Sequence, residues 1–447
     1  MTTLVPFALV GWMVVSVALF AKFSARRAIL ISVIGGWMFL PVASIPVRGF
    51  VPDLTKNTAI LAGVLGGMFL FDRASFLRFR PSWLDAPMCV WVLAPFMSSL
   101  TNGLGVYDGL SAVLENLLAW GIPYGLGRIY FFETDALRDL TWGIFIGGLV
   151  YVPLCWFEIV FGPQLHLWVY GTALGGIEEA FRLGGWRPIL FMTHGLMTAL
   201  WMATASVCGS ILFFSHALTR WGPYRGAAAV LLLLVTTFAL KSVNAWLLTA
   251  FALGLLFVSV RLNRAWLLWG AMSVGLGYLF VRVTGLWDGF VLGIWVYEFA
   301  PGKSESVLYR LVNEIQIVAR AHLQPLWGWG RWGRAFVAGP GGLELLIPDS
   351  LWFLALGQQG FVGLGALVGI LFLPALLLSV RASPAQWLSK SIAPVTACAF
   401  VVLVFAFDSF ANAMLIPVYL LAAGGVVGWF QDGTGFRNAV PSRTVQA

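Results

Sequence analysis

Charge is what this sequence has least of: Asp, Glu, Lys and Arg make up 10% of its 447 residues, whereas a soluble domain carries about a quarter. So few charges could not cover a water-exposed surface, which excludes an ordinary globular domain. Cysteine is scarce too. Cys89, Cys155, Cys208 and Cys398 lie in or beside apolar runs, at spacings that suit neither a zinc site nor a disulfide framework. No repeat or low-complexity tract is present. No basic residue precedes the first apolar run, so that run is expected to be a retained span and not a cleaved signal.

Apolar residues fill the space that charge leaves. They reach 60% of the chain, with a mean hydropathy of +0.88, which predicts an all-α, polytopic integral membrane protein forming one transmembrane domain over 1–447. Apolar stretches fall at Leu4–Phe20, Ala28–Val47, Thr58–Phe71, Ala86–Leu100, Leu110–Leu126, Leu140–Phe161, Pro188–Phe214, Gly226–Leu240, Val243–Val260, Ala265–Val283, Leu351–Val380, Ser391–Phe407 and Ala411–Phe430. That pattern gives about 12–13 transmembrane helices. Alternate loops hold Lys22, Arg26 and Arg27, then Arg73, Arg78 and Arg80, then Arg128 and Arg138, Arg220 and Arg225, Arg261 and Arg264, Arg381 and Lys390, and the tail's Arg437 and Arg443. The intervening short loops carry only Arg48, Lys56, Arg182, Arg187 and Lys241. Basic loops stay cytoplasmic, so the net charge of +8 points to membrane topology, not to nucleic acid, and the long loop at 284–348 is expected outside, between the tenth and eleventh spans.

Within that loop a helix is predicted at about 304–323. Ser304 can cap it, Leu308, Leu311, Val312, Ile315, Val318 and Ala319 form its apolar stripe, and Pro325 ends it. This leaves Tyr309, Arg310, Asn313, Glu314 and Arg320 facing the outer surface or a cavity, with Arg310 and Glu314 also spaced as a simple surface ion pair. The run from Trp327 to Arg334 sets Trp327, Trp329, Arg331 and Arg334 among glycines. Such a mixture suits stacking on sugar faces and forked donation to phosphate, or equally a tight interfacial turn. Asp349 and Ser350 open the next apolar stretch, where Asp349 can act as a base or merely cap a helix.

A second external stretch leads from Glu178 and Glu179 through Arg182, Gly184, Gly185, Arg187 and Pro188 to His194. Its arginines and glycines can hold an anion, or pair with the glutamates as a solvated loop. His194 is placed about two turns into a span, and Lys241 in a tight outer turn with Ser242 and Asn244. Asp408 and Asn412 sit in the last outer turn with no stronger claim to a role.

In layout and in these motifs the chain resembles the O-antigen ligase and polymerase superfamily of bacterial envelope glycosyltransferases. The matching positions are Arg310 on a loop helix, Pro325-Leu326-Trp327-Gly328-Trp329-Gly330, Asp349-Ser350, and Gly360-Phe361-Val362-Gly363. Arg182 with Gly184 and Pro188, and the segment from Gly121 to Arg128, are similar as well. Asp349 stands where the ligases carry histidine, which favours a polymerase, and Lys241-Ser242 stands where the family tends to show Ser-Arg.

The resemblance implies a metal-independent enzyme of the bacterial inner membrane, multi-pass, with its loop in the periplasm. The enzyme would transfer glycan from a polyprenyl-pyrophosphate donor to a sugar hydroxyl on a glycan or lipid-linked acceptor, without a cofactor. Arg182, Arg310 and Asp349 would be catalytic, and Arg187, Lys241, Trp327, Trp329, Arg331, Arg334, Ser350 and His194 would bind substrate. The chemistry suits the residues, because a pyrophosphate leaving group without a metal needs guanidinium charge, and no Asp-x-Asp metal signature occurs. A transporter or lipid-linked-oligosaccharide flippase fits the same many-spanning layout.

Overall fold

The computed structural model describes residues 2–47, 52–176, 180–299, 301–336 and 350–432. They are mostly helical, and seven helices are long and apolar enough to cross a membrane. The chain opens with α1 (Leu4–Lys22), then α2 (Ala25–Leu30) continued through a π turn into α3 (Gly36–Phe39). Next come α4 (Lys56–Phe71), α5 (Ala86–Thr101), and α6 (Gly105–Asn116) joined by a second π turn to α7 (Ile122–Tyr130). Then follow α8 (Thr134–Phe161), the short α9 (Leu165–Tyr170), α10 (Gly195–Phe214), α11 (Pro223–Ala239), α12 (Val243–Leu262) and α13 (Trp266–Val283). Two loop helices, α14 (Phe290–Phe299) and α15 (Pro301–Ala321), precede α16 (Leu351–Arg381), α17 (Ala393–Asp408) and α18 (Pro417–Asp432). The only strands among the described residues are two antiparallel ladders. One pairs β1 (Ser44–Ile45) with β2 (Leu54–Thr55), Ser44 opposite Thr55, and the other pairs β3 (Phe181–Arg182) with β4 (Gly185–Trp186), Arg182 opposite Gly185.

A helix apolar on all sides must be surrounded either by protein or by lipid. Helices α10, α17 and α18 take the first course: Trp201, Phe400, Phe405, Tyr419 and Trp429 are fully buried at the centre of the bundle. Helices α1, α11 and α13 are not enclosed in this way and expose Phe7, Phe238 and Val274 on their outer faces. Close crossings use glycine. Side chains at Gly127 and Gly424 would strike the backbones of Leu421 and Tyr124, so α7 and α18 touch backbone to backbone. Beside that crossing, at the end of the bundle away from the long loop, Arg128 donates to Asp85 at 2.7 Å with both buried, and Tyr124 Oη donates to the same carboxylate.

The structure revises several local expectations. The loop helix spans Pro301–Ala321, so Ser304 lies inside it and not at its cap. Its buried face carries Leu311, Asn313, Glu314, Ile317, Val318 and Ala321, while Val312 is exposed; Asn313 and Glu314 therefore point inward. An apolar chain does not suffice for helix from Pro188. Leu190 has φ +57°, and α10 starts only after His194, whose Nδ1 accepts the N–H of Leu196 at 3.0 Å as a cap. The last helix likewise begins at Pro417, after a non-helical turn from Ser409.

A backbone contact helps fix the long loop to the bundle. Gly360 (φ +64°, ψ −160°) breaks α16, and the turn from Pro325 to Gly330 fits into that break. Trp329 and Gly330 donate their N–H groups to the carbonyls of Gly357 and Gln358 at 2.8 and 2.9 Å, and Phe361 donates back to Pro325 at 2.7 Å. Neither side of the contact has room for a side chain. A Cβ on Gly328 would lie 2.6 Å from the carbonyl carbon of Gln358, and one on Gly360 would lie 2.5 Å from that of Leu326.

Candidate functional site

Asp408, the last residue of α17, is 1% exposed. Its Oδ1 accepts Nδ2 of Asn244 at 2.6 Å and Nδ2 of Asn412 at 2.7 Å, and its Oδ2 is buried with no hydrogen-bond partner among the described residues. A carboxylate so placed is costly unless a cation faces it. Arg310, half-buried on α15, is close enough to act electrostatically on both Asp408 and Glu314.

Arg310 keeps its place because the helix beneath it is tied down. Glu314, one turn on, is buried against Arg282 at the end of α13, with Oε2 accepting Nε at 2.9 Å and Nη2 at 2.5 Å. Tyr278 Oη donates to the same oxygen at 3.3 Å. Burial pushes the Glu314 carboxyl above its ordinary value, and the Arg282 guanidinium pulls it back. The main partner of Glu314 is thus Arg282, across two helices, and the pairing is not a surface bridge along α15.

Other candidates gather near Asn244. The β3–β4 hairpin packs on the turn before α12: Nη2 of Arg187 donates to the Lys241 carbonyl at 3.2 Å, and Lys241 Nζ reaches the Leu183 carbonyl at 3.4 Å. Leu183 and Lys241 both sit in the left-handed region, at φ +50° and +55°, which closes the hairpin tip and the helix turn on each other. Arg187 is buried in this contact and Arg182 is exposed at the tip. From Lys241 the chain passes to Asn244 and so to Asp408. On the other side, the N–H of Leu351 donates to the carbonyls of Ser409 and Asn412 at 3.1 Å, which sets buried Ser350 at the same turn. Asp349 lies outside the described residues, as do Glu178 and Glu179.

The Trp327–Arg334 run forms a separate cluster. Arg334 grips Asp108 with two bonds of 2.9 Å, and Arg331 Nη2 bonds Glu115 at 2.7 Å and Ser111 at 2.6 Å, both on α6. Arg334 holds the Asp108 carboxyl down at about 2. The Trp329 ring stacks on Arg320 at 3.8 Å and its Nε1 donates to the Arg320 carbonyl at 2.8 Å, while Ser98 bonds the Trp327 carbonyl. The two guanidinium forks predicted to hold phosphate are filled by carboxylates of the protein. This run acts as a clasp. Arg310, Arg182, Arg187 and Lys241 lie apart from this clasp.

The sequence placed Asp408, Asn412 and Asn244 in outer turns without giving them a role, and did not single out Arg282. The signal was available in part, since ionisable residues inside apolar stretches need named partners, but partners on distant helices are not visible in one dimension. Among the described residues no group of three or more His, Cys, Asp or Glu side chains gathers as a metal site. No protein-family model matches the chain, and no curated protein matches it. The resemblance therefore rests on the motifs and layout quoted above.

Proposed function

We propose that this protein is a glycosyltransferase of the O-antigen ligase and polymerase type, embedded in a bacterial inner membrane with the long loop outside. The observation that carries the reading is Asp408, a buried carboxylate held by two asparagines at the same turn as Ser350 and within electrostatic range of Arg310. Arginine charge is what a metal-independent departure of pyrophosphate requires, and a carboxylate of restricted solvation is what an acceptor hydroxyl requires.

In the proposed reaction the acceptor oxygen attacks the anomeric carbon of the donor sugar as the bond to the pyrophosphate oxygen breaks. The hydroxyl proton passes to a carboxylate, either Asp408 or Asp349, and polyprenyl pyrophosphate leaves with its charge met by Arg310 and by Arg182, Arg187 or Lys241. A cavity of about 570 Å³ between α5, α13 and α16, lined by Pro87, Trp269, Met272, Leu276, Phe372 and Leu376, is an apolar bed on which the far part of a long lipid chain can lie, toward the end of the bundle away from the long loop. The departure of Asp349 from histidine favours chain extension over ligation.

The test is transfer from a polyprenyl-pyrophosphate glycan in liposomes, comparing the wild type with Arg310→Ala, Asp408→Asn and Asp349→Asn. Transfer is expected to fall by about 10²–10³-fold for Arg310→Ala, the cost of losing one pre-placed donor, with a comparable loss in one of the two aspartate variants. Donor crossing the bilayer without product would replace the enzyme by a transporter.

A further inference from the structure

Helix α14 lies in the long loop, yet its exposed face is apolar apart from Glu298 in the last turn. From Phe290 to Tyr297 it contains no charged residue, and Phe290, Val291, Ile294, Trp295 and Tyr297 are 45%, 58%, 58%, 60% and 64% exposed. Its contact with α15 is through glycine: a Cβ on Gly289 would lie 2.6 Å from Leu311, and one on Gly293 would lie 2.5 Å from Leu308. A helix facing water normally turns a polar face outward. This one turns Phe290, Val291, Ile294, Trp295 and Tyr297 outward, with a single charge, Glu298, near its end.

What covers those side chains is indicated by the neighbouring helix. The outer face of α13 exposes Val274 by 73% and Phe280 by 60%, and the linker exposes Leu286 by 73%; beyond Asp288, which is exposed and caps α14 by accepting the Phe290 N–H at 2.9 Å, the apolar surface resumes at Phe290. Arg282 fixes the linker through a 3.1 Å bond from Nη1 to the Trp287 carbonyl. Ten residues of helix measure about 15 Å, roughly half of a ~30 Å hydrocarbon core. Helix α14 can enter a bilayer but cannot cross it, and the chain returns along α15.

We infer that α14 is immersed in the outer leaflet, against lipid acyl chains, and that this immersion holds the α14–α15 hairpin, with Arg310, at the membrane surface. The inference rests on the membrane placement proposed above and is independent of the chemistry. Apolar helices of this kind settle about 5–10 Å below the headgroups.

The test is spin-label depth measurement on the full chain in liposomes, with Cys89→Ser as background because Cys155, Cys208 and Cys398 are buried. Labels go on Val291→Cys, Ile294→Cys and Tyr297→Cys, with Val274→Cys and Phe280→Cys as controls on α13 and Trp332→Cys as a control on the loop. Oxygen collision several-fold above that of a water-soluble nickel chelate is expected at all three α14 positions, as on α13, with the reverse at Trp332. Nickel accessibility on α14 while α13 stays oxygen-rich would overturn the inference and leave the membrane placement intact. Labels reached by neither probe, with spin–spin broadening between copies, would mean that a second chain covers the helix and would also overturn it. Nickel access at Val274 and Phe280 would remove the membrane placement itself. Three independent positions keep the question answerable if one substitution prevents folding.

Discussion

Arg282 is buried because Glu314 is there to meet it. Removing one member of such a pair strands the other without water, at a cost of roughly 3–5 kcal/mol. Glu314→Ala is therefore expected to lower the thermal midpoint of the detergent-solubilised protein strongly, and Glu314→Gln, which can still accept a bond, to lower it less. Equal stability in the wild type and Glu314→Ala would mean that α15 is not held this way. Glu314 was visible in the sequence as a neighbour of Arg310 at helical spacing, but its stronger tie to Arg282 was not, since that pairing depends on how α13 and α15 pack. The same holds for Asp408. Its i,i+4 partner Asn412 could be read along the chain, whereas Asn244 and Arg310 reach it from other helices.

At the scale of elements, the turn from Pro325 to Gly330 and the break at Gly360 form one device. Both Gly328 (φ +65°) and Gly360 are left-handed, and each lies against backbone that cannot yield. Gly328→Ala or Gly360→Ala combines an unfavourable backbone, about 1–3 kcal/mol, with a direct clash. Each is expected to destabilise the fold and to make the loop more susceptible to trypsin at Arg331 and Arg334. Both glycine motifs were legible as motifs, but that one occupies the other required the fold. The clasp to α6 adds a pH dependence. Asp108 is held at about 2, below its ordinary 3.8, so its contribution is fully present above 3.8 and is lost as pH falls through about 2. A spin label at Trp332 is expected to keep a constant mobility from pH 7 to about 4 and to become more mobile below that. Asp108→Asn should show the mobile spectrum throughout.

For the whole molecule, hydropathy was the readable layer. Long apolar runs became helices because buried or lipid-facing backbone must satisfy its own hydrogen bonds. Helix α14 escaped notice because a ten-residue helix is too short to register as a span. The orientation inferred from basic loops has a direct consequence: a cysteine at Trp332 should react with an impermeant maleimide on intact spheroplasts, and one at Tyr224, 89% exposed at the other end, only after permeabilisation. The reverse pattern would invert the topology and move the Arg310–Asp408 site to the cytoplasm.

The most direct test of the central claim is the stoichiometry of the reaction in liposomes containing EDTA: polyprenyl pyrophosphate released against glycosidic bonds formed. The account predicts equal amounts of each in the wild type and both lowered about 10²–10³-fold in Arg310→Ala. Donor that reaches the opposite leaflet intact, with no pyrophosphate carrier released, would contradict it.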